Sequence, residues 1–295
     1  MTEMIHEEEQ YLKLIKDIIE RGSYEDSRNG KTYSIFGNCM RFSLKDGQIP
    51  ILTTKKVAIK TCFEELMWFI RGKMDNKLLR ERNVHIWDAN STREFLDSVG
   101  LADYNEDELG PVYGHQWRHF NAKWEGTHAD YKNKGVDQLN EVIENLKNPE
   151  KRTSRRLIIT AWNPEQLKQM ALPPCHMIMQ FNVRDNKYLS CAMFQRSADV
   201  GLGVPFNIAS YSFLTHILAK HTGLEADEFV YFMGNCHIYE DHIESLKQQL
   251  SNKPYPFPKI EIKQQHNSIE DYNYNDIIWL NEYKSHGTIK MKMSA

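Results

Sequence analysis

Long apolar runs are missing from this 295-residue chain: no stretch reaches the roughly eighteen residues that a membrane-spanning helix requires. An excess of one charge is missing as well. Lys plus Arg number 37 and Asp plus Glu 40, a formal net charge of −3, which argues against a protein whose main business is coating nucleic acid or an anionic membrane. Glycine (15) and proline (10) are sparse, and no Pro/Gly/Ser-rich linker, internal repeat or low-complexity tract separates two folds. Cysteine is scarce too. The five thiols, Cys39, Cys62, Cys175, Cys191 and Cys236, are odd in number, widely spaced and without a CxxC pair, which fits free thiols in a reducing compartment better than a disulfide framework. The opening "MTEMIHEEEQ" is acidic and lacks the charged-then-apolar layout of a signal peptide, so a cytoplasmic protein is expected, with nuclear presence compatible.

What is present describes an ordinary globular chain, 41% hydrophobic and 26% charged. An N-terminal helix is predicted with Thr2 as its cap and Tyr11, Leu12, Ile15, Ile18 and Ile19 on one face. "YSIFGNCMRFSL" alternates as a strand, "KTCFEELMWFIRG" reads as a deeply buried helix ending at Gly72, and residues 88–110 read as an acidic surface insertion. "VDQLNEVIENLKNP" predicts a surface helix stopped at Pro149. In the second half "RRLIITAWN", "HMIMQFNV" and "YLSCAMFQR" are short apolar strands, the last two joined by "RDNK" as a hairpin turn. A long all-round apolar helix, "FNIASYSFLTHILAKHTG", closes at Gly223; then come the strand "EFVYFMG", a helix over 238–250 and the strand "PFPKIEIKQ". Strands with interspersed helices, rather than strict βαβ alternation, predict an α+β fold: a single domain, 1–295, on one large mixed sheet covered by helices.

Chemistry is signalled first by "MALPPCH". Two prolines stiffen the approach to Cys175, and the apolar run after it reads as a buried strand. Cys175 and His176, adjacent on an extended segment, point to opposite faces, so His176 is poorly placed to deprotonate the thiol. Nearby cations would activate it instead. On the residues alone a nucleophile and a buried apolar thiol both stand. "KRTSRR" supplies Arg155 and Arg156, which by themselves suit a solvated face; Arg196 and Ser197, at the end of an apolar strand, suit a phosphate. Glu65, among Phe63, Leu66, Met67, Trp68 and Phe69, is either solvent-facing or desolvated with a raised pKa, and periodicity does not separate it from Glu64. "GLGVPFN" allows close approach to a flat ligand but lacks a dinucleotide fingerprint, and Asn207 reads locally as a helix N-cap. His237 and His242 are five apart and do not stack on a helix face; without H-E-x-x-H, paired CxxC or an EF-hand loop, no metal is expected.

Together "GPVYGHQWR", "SRR", "MALPPCH", "FQRSADVGLGVPFNIASY" and "HIYEDH", in this order, resemble thymidylate synthase, and the resemblance runs from "SIFGNCMRF" to "HGTIKMKMSA". "DANSTREFLDSVGL" is similar to the eukaryotic branch. The resemblance implies reductive methylation of dUMP to dTMP, with 5,10-methylenetetrahydrofolate as co-substrate giving carbon and hydride, and no metal. It implies that Cys175 attacks C6 of the uracil and that Arg28, Arg196 and Ser197 hold the 5′-phosphate. Arg155 and Arg156 would reach that phosphate from the other subunit of a homodimer built on the sheet face, and the guanidinium cluster would favour the Cys175 thiolate. Asn207 would pair with the uracil edge, and Glu65 would manage protons through water. Tyr113 would lie near C5, and His176 would order the site. Gln195 and Asp199 join the dUMP residues, and His237 and Tyr239 take the ribose 3′-hydroxyl. Ile86, Trp87, Asp199, Leu202, Gly203, Phe206, Tyr239 and Ala295 would line the folate, under a C-terminal flap of residues 285–295.

Four departures from the family pattern stand out: the shortened "SRNGKT" loop, Asn235 where the family usually has Asp, Ala192 with Phe194 nearby, and Ala295. A deoxycytidylate hydroxymethylase on the same fold would carry Asp in place of Asn207. A Cys-dependent hydrolase would need an oxyanion hole. RNA binding through "KRTSRR" is compatible with the chain but is not argued by its acidic balance.

Overall fold

A sheet with one apolar face must cover it, and in this computed structural model, which describes residues 5–27 and 30–293, helices do so. In chain order the elements begin with α1 (Glu9–Arg21), β1 (Ser23–Ser27), β2 (Gly30–Ser43), α2 (Ile59–Ile70), α3 (Asn76–Arg80), α4 (Arg93–Ser98), α5 (Tyr113–His119) and α6 (Gln138–Lys147). They continue with β3 (Ile158–Thr160), β4 (His176–Arg184), β5 (Tyr188–Asp199), α7 (Gly203–Thr222), β6 (Glu225–Tyr239), α8 (Ile243–Leu250), β7 (Ile260–Ile262) and β8 (Ile277–Trp279). Six strands form one mixed sheet in the order β1-β2-β6-β5-β4-β3, and β7 pairs with β8 separately. This is the α+β architecture that the sequence predicts. Only the β5–β6 pair of the large sheet is parallel, with α7 as the crossover between its strands.

The predicted turn between β4 and β5 forms because Asp185 and Asn186 both take φ of 54°, the left-handed conformation that a two-residue hairpin requires. α7 is buried on nearly every side and ends at Gly223, whose φ of 70° is the usual left-handed helix stop. Its hydroxyls are not orphaned: Ser212, Thr215 and Thr222 each donate to the carbonyl four residues back at 2.7 Å. Phe63 of α2 packs edge-on against Phe213 of α7 at 5.5 Å, joining the two apolar helices into one core.

Three local expectations are corrected. α7 starts at Gly203, so Asn207 lies in its second turn and is not an N-cap; Pro205 sits in the first turn, where its missing N–H breaks no bond. Ile238 and Tyr239 belong to β6, not to a helix, because β2 pairs with them from the far side; the α-helix begins at Ile243. Residues 88–110 carry α4 and are not merely superficial, since Leu96, Leu101 and Leu109 are buried and Asn76 donates to Asp88 at 2.8 Å and to Ser91 at 3.0 Å.

Away from the helices, Ile178, Phe194, Phe232 and Cys39 lie in register on four adjacent strands and are all exposed. Phe36 of β2 is also exposed, at 88%.

Thr2 lies outside the described residues, and α1 instead starts after Glu8, whose side chain caps nothing. Its fully buried carboxylate is used elsewhere. It accepts from the Thr53 and Thr54 amides and from both hydroxyls, the latter at 2.6 Å, pinning α1 to the 53–54 segment. Removing it strands four donors, so Glu8→Ala is expected to destabilise the fold by about 3 kcal/mol, read as a lower urea midpoint at unchanged slope.

Candidate active site

The Pro-Pro-Cys loop needs donors for three carbonyls that belong to no ladder, and Arg196 supplies them. Its backbone N–H donates to the Cys175 carbonyl at 2.9 Å, Nε to Pro174 at 2.9 Å and Nη2 to Pro173 at 3.0 Å. The same Nη2 reaches Cys175 Sγ at 3.9 Å, and the guanidinium lies 5.5 Å from the Trp162 ring. From the other side the Cys175 N–H donates to the Tyr113 hydroxyl at 2.7 Å. The thiol is therefore held at fixed height before β4. Burial pushes its pKa up, against the lowering by Arg196 and with a further rise from Asp199. Arg196 alone does not outweigh desolvation, and the other arginines of the expected cluster do not stand beside the thiol among the described residues.

His176 points away from the thiol, as alternation requires. Its ring stacks on Tyr113 at 4.0 Å and its Nδ1 lies 2.6 Å from the Tyr211 hydroxyl, while burial draws its pKa down to about 3. It is a neutral support.

The two glutamates of α2 separate cleanly. Glu64 is buried and paired with Arg82 at 3.3 Å. Glu65 is half-buried and receives the Trp87 indole N–H at 2.8 Å, and desolvation raises its pKa from 4.5 to about 7, with the Trp87 bond opposing. A carboxyl that exchanges its proton near neutrality suits proton transfer. Trp87 in turn meets Tyr113 edge-on at 6.2 Å, linking the glutamate to the thiol's support.

β5 and β6, being parallel, bring their C-terminal ends to one edge, and their register pairs Ser197 with Asn235 and Asp199 with His237. Asp199 accepts from the Gly201 N–H at 2.9 Å and the Leu202 N–H at 3.4 Å, shaping the turn into α7. Leu202, Gly203 and Phe206 begin that helix, and Asn207 is half-buried with no side-chain hydrogen bond among the described residues. His237 bonds Asn235 through Nδ1 at 3.0 Å and meets Tyr239 edge-on at 5.4 Å. Ile86 packs partly buried beside Trp87.

Not every expected residue joins this cluster. Gln195 is buried with both ends of its amide engaged, donating to Ser197 O at 2.8 Å and accepting from Tyr231 at 2.6 Å, so its side chain supports the strand end. Arg155 and Arg156 are exposed before β3, with no hydrogen bond to Cys175 or Arg196 among the described residues; Gln180, on the sheet's outer face, donates to Arg155 O at 3.0 Å. Arg28 and Ala295 lie outside the described residues. Among the described residues no three His, Cys, Asp or Glu side chains group to hold a metal, and no helix is long and apolar enough to cross a membrane.

The sequence reading missed four supports. Tyr211 holds His176, and Trp162 faces Arg196. Lys55, buried and drawn down to about 8 by desolvation, donates to Gly201 O. His242 donates from Nε2 to the Lys292 carbonyl at 2.7 Å, since a carbonyl oxygen only accepts. None carries a local pattern, since each acts through a partner far along the chain.

The family model described as thymidylate synthase matches residues 9–295. The bifunctional dihydrofolate reductase-thymidylate synthase of Paramecium tetraurelia is 52% identical over 292 residues, which is 98% of this chain and 62% of that protein. The protein of the same name from Leishmania major is 49% identical over 293 residues, 98% of this chain and 56% of its own length. Thymidylate synthase 1/2 of Encephalitozoon cuniculi is 49% identical over 294 residues, 98% of each chain. The chain thus spans less than two thirds of the two bifunctional relatives and nearly all of the Encephalitozoon protein. With the family model matched from residue 9 onward and a full-length relative 49% identical, the chain belongs to the thymidylate synthase family.

Proposed function

We propose that this chain catalyses the reductive methylation of dUMP to dTMP, the carbon and the hydride both coming from 5,10-methylenetetrahydrofolate. The observation that carries this reading is the convergence of a rigidly held thiol, a cation beside it, a carboxyl titrating near neutrality and a free amide, within a family that the comparisons establish. Cys175 Sγ bonds to C6 of the uracil, and the displaced electron pair passes to C5 and O4, leaving C5 able to take up carbon. Asn207 offers one donor and one acceptor to O4 and N3–H, which distinguishes uracil from cytosine. Glu65, acting through water, supplies and removes protons at O4 and near the transferring group. Tyr113, which holds the Cys175 amide, lies beside the carbon that must lose its proton. When the C5 proton has left and reduction is complete, the Cys175–C6 bond breaks and the thiolate returns.

The folate would lie against the partly buried Ile86, Leu202 and Phe206 and the buried Trp87, apolar groups that fit a flat ring, with Asp199 as the polar contact. The 285–293 segment fits a flap over it: Lys290 O and Lys292 O are held by Ser245 at 3.1 Å and His242 at 2.7 Å.

A homodimer completes the site in this reading. The exposed row Ile178, Phe194 and Phe232 is the surface to be covered, and Arg155 lies over the same face through its bond from Gln180. Arginines from a second copy would add the positive charge that Arg196 alone lacks for ionising Cys175.

Three outcomes test this. Cys175→Ser is expected to abolish dihydrofolate formation while retaining dUMP binding, and 5-fluoro-dUMP with the folate should add covalently to the wild-type thiol in an intact-mass measurement; turnover by the serine variant removes Cys175 from the mechanism.

Glu65 gives a second. Because its folded-state pKa is raised, the carboxyl's burial costs no stability below pH 4.5, and the cost grows until pH passes about 7. Glu65→Gln should therefore lower kcat by about a hundredfold, erase the limb of the rate profile near neutrality and raise the denaturant midpoint at alkaline pH.

Phe232→Glu should yield a monomer in sedimentation and lose activity. An active monomer would dismiss the shared site.

A further inference from the structure

The sugar side of the site holds a histidine whose proton can be placed. His237 Nδ1 lies 3.0 Å from Asn235 Oδ1, two residues earlier on β6. An amide oxygen only accepts, so Nδ1 carries the hydrogen and the ring's other polar atom, Nε2, keeps its lone pair. Strand geometry makes this pairing durable. Residues two apart on a strand share a face, and both ends of the pair are fixed from two sides: β2 sets Phe36 opposite Asn235 and Ser34 opposite His237, and β5 sets Ser197 and Asp199 opposite them.

Charged groups approach His237 from several elements: Asp199 from β5, Glu25 from β1 and His242 from the turn after β6, with Tyr239 on its own strand. Burial lowers its pKa from 6.5, more than Asp199, a hydrogen bond to the Asn235 backbone and Glu25 raise it, and His242 lowers it further. An aspartate in place of Asn235 would reverse that balance by placing a full negative charge on Nδ1–H.

We propose that Asn235 is a positioning residue that fixes His237 as the Nδ1–H tautomer, so that Nε2 presents an acceptor and the site selects a nucleotide whose sugar offers a hydroxyl hydrogen. The selectivity rests on the dUMP reading; the tautomer does not. A sugar lacking the hydroxyl leaves Nε2 desolvated and unpaired, and a sugar bearing a phosphate there brings acceptors against an acceptor.

Nitrogen NMR of the ligand-free protein labelled with ¹⁵N-histidine reads the tautomer directly. The expected result is a protonated Nδ1 and an unprotonated Nε2 for His237 from about pH 6 to 8. Asn235→Ala should release the ring into a tautomer mixture. Asn235→Asp, which keeps an acceptor in place, should retain Nδ1–H and raise the His237 titration midpoint by about one pH unit or more, about tenfold in proton affinity. In binding, wild type should prefer dUMP over its 3′-deoxy analogue by about tenfold, and Asn235→Ala should reduce that preference to about twofold.

An Nε2–H signal in the wild type overturns the proposal, as does an unchanged signal and preference in both variants. A protein that shows the Nδ1–H signal but does not bind dUMP removes the nucleotide reading and leaves the tautomer assignment standing.

Discussion

One residue holds the site together. Arg196 bonds three successive carbonyls, that of Cys175 through its backbone N–H and those of Pro173 and Pro174 through its guanidinium, which also faces the thiol. The prolines give rigidity but remove N–H groups, so the loop's carbonyls cannot find ladder partners, and a cation with several donors is the economical way to satisfy them. The position of the nucleophile and its electrostatic neighbour are thus set by one residue. Losing Arg196 would free the loop and the charge together, which is why its two effects cannot be separated by a single substitution.

Around that grip the site is arranged in shells of decreasing polarity. Tyr113 touches the Cys175 amide on one side and stacks on His176 on the other; His176 rests on Tyr211 inside the core. Lys55 and Tyr11 reach in from the N-terminal region to the carbonyls of Gly201 and Val200, the latter at 2.9 Å, and hold the turn that aims α7 at the cleft. Glu65 is kept apart from its salt-bridged neighbour Glu64 by one helical step, about 100° of rotation, enough to give one carboxyl an arginine and the other a nearly neutral environment.

Much of the fold was legible in the residues. The all-round apolar patterns of α2 and α7, the Gly223 stop and the Asp-Asn hairpin turn follow from local chemistry and appear where the sequence put them. The errors share a cause. Asn207 looks like a cap and 238–239 look helical only if the neighbouring strands are unknown; β2 and β5 extend β6 beyond its own pattern, and Pro205 is tolerated in the first turn of the helix. At the site, Cys175 and Arg196 were suggested by their flanking residues. The choice between Glu64 and Glu65 required Arg82 and Trp87 in space, and the thiol's raised pKa required the actual balance of burial against one cation. Side chains that support from a distance, such as Tyr211 and Lys55, had no sequence signal to offer.

The antiparallel pairing of β2 with β6 sets Thr32 against Tyr239 and Ser34 against His237, joining segments from opposite ends of the chain. A growing polypeptide therefore owns the thiol loop and its arginine before it owns the wall beside them. That wall exists only once the last quarter of the sequence has been threaded between two strands already made, a non-local closure of the slow kind. A shaped cleft on this chain therefore reports that two segments about two hundred residues apart have paired.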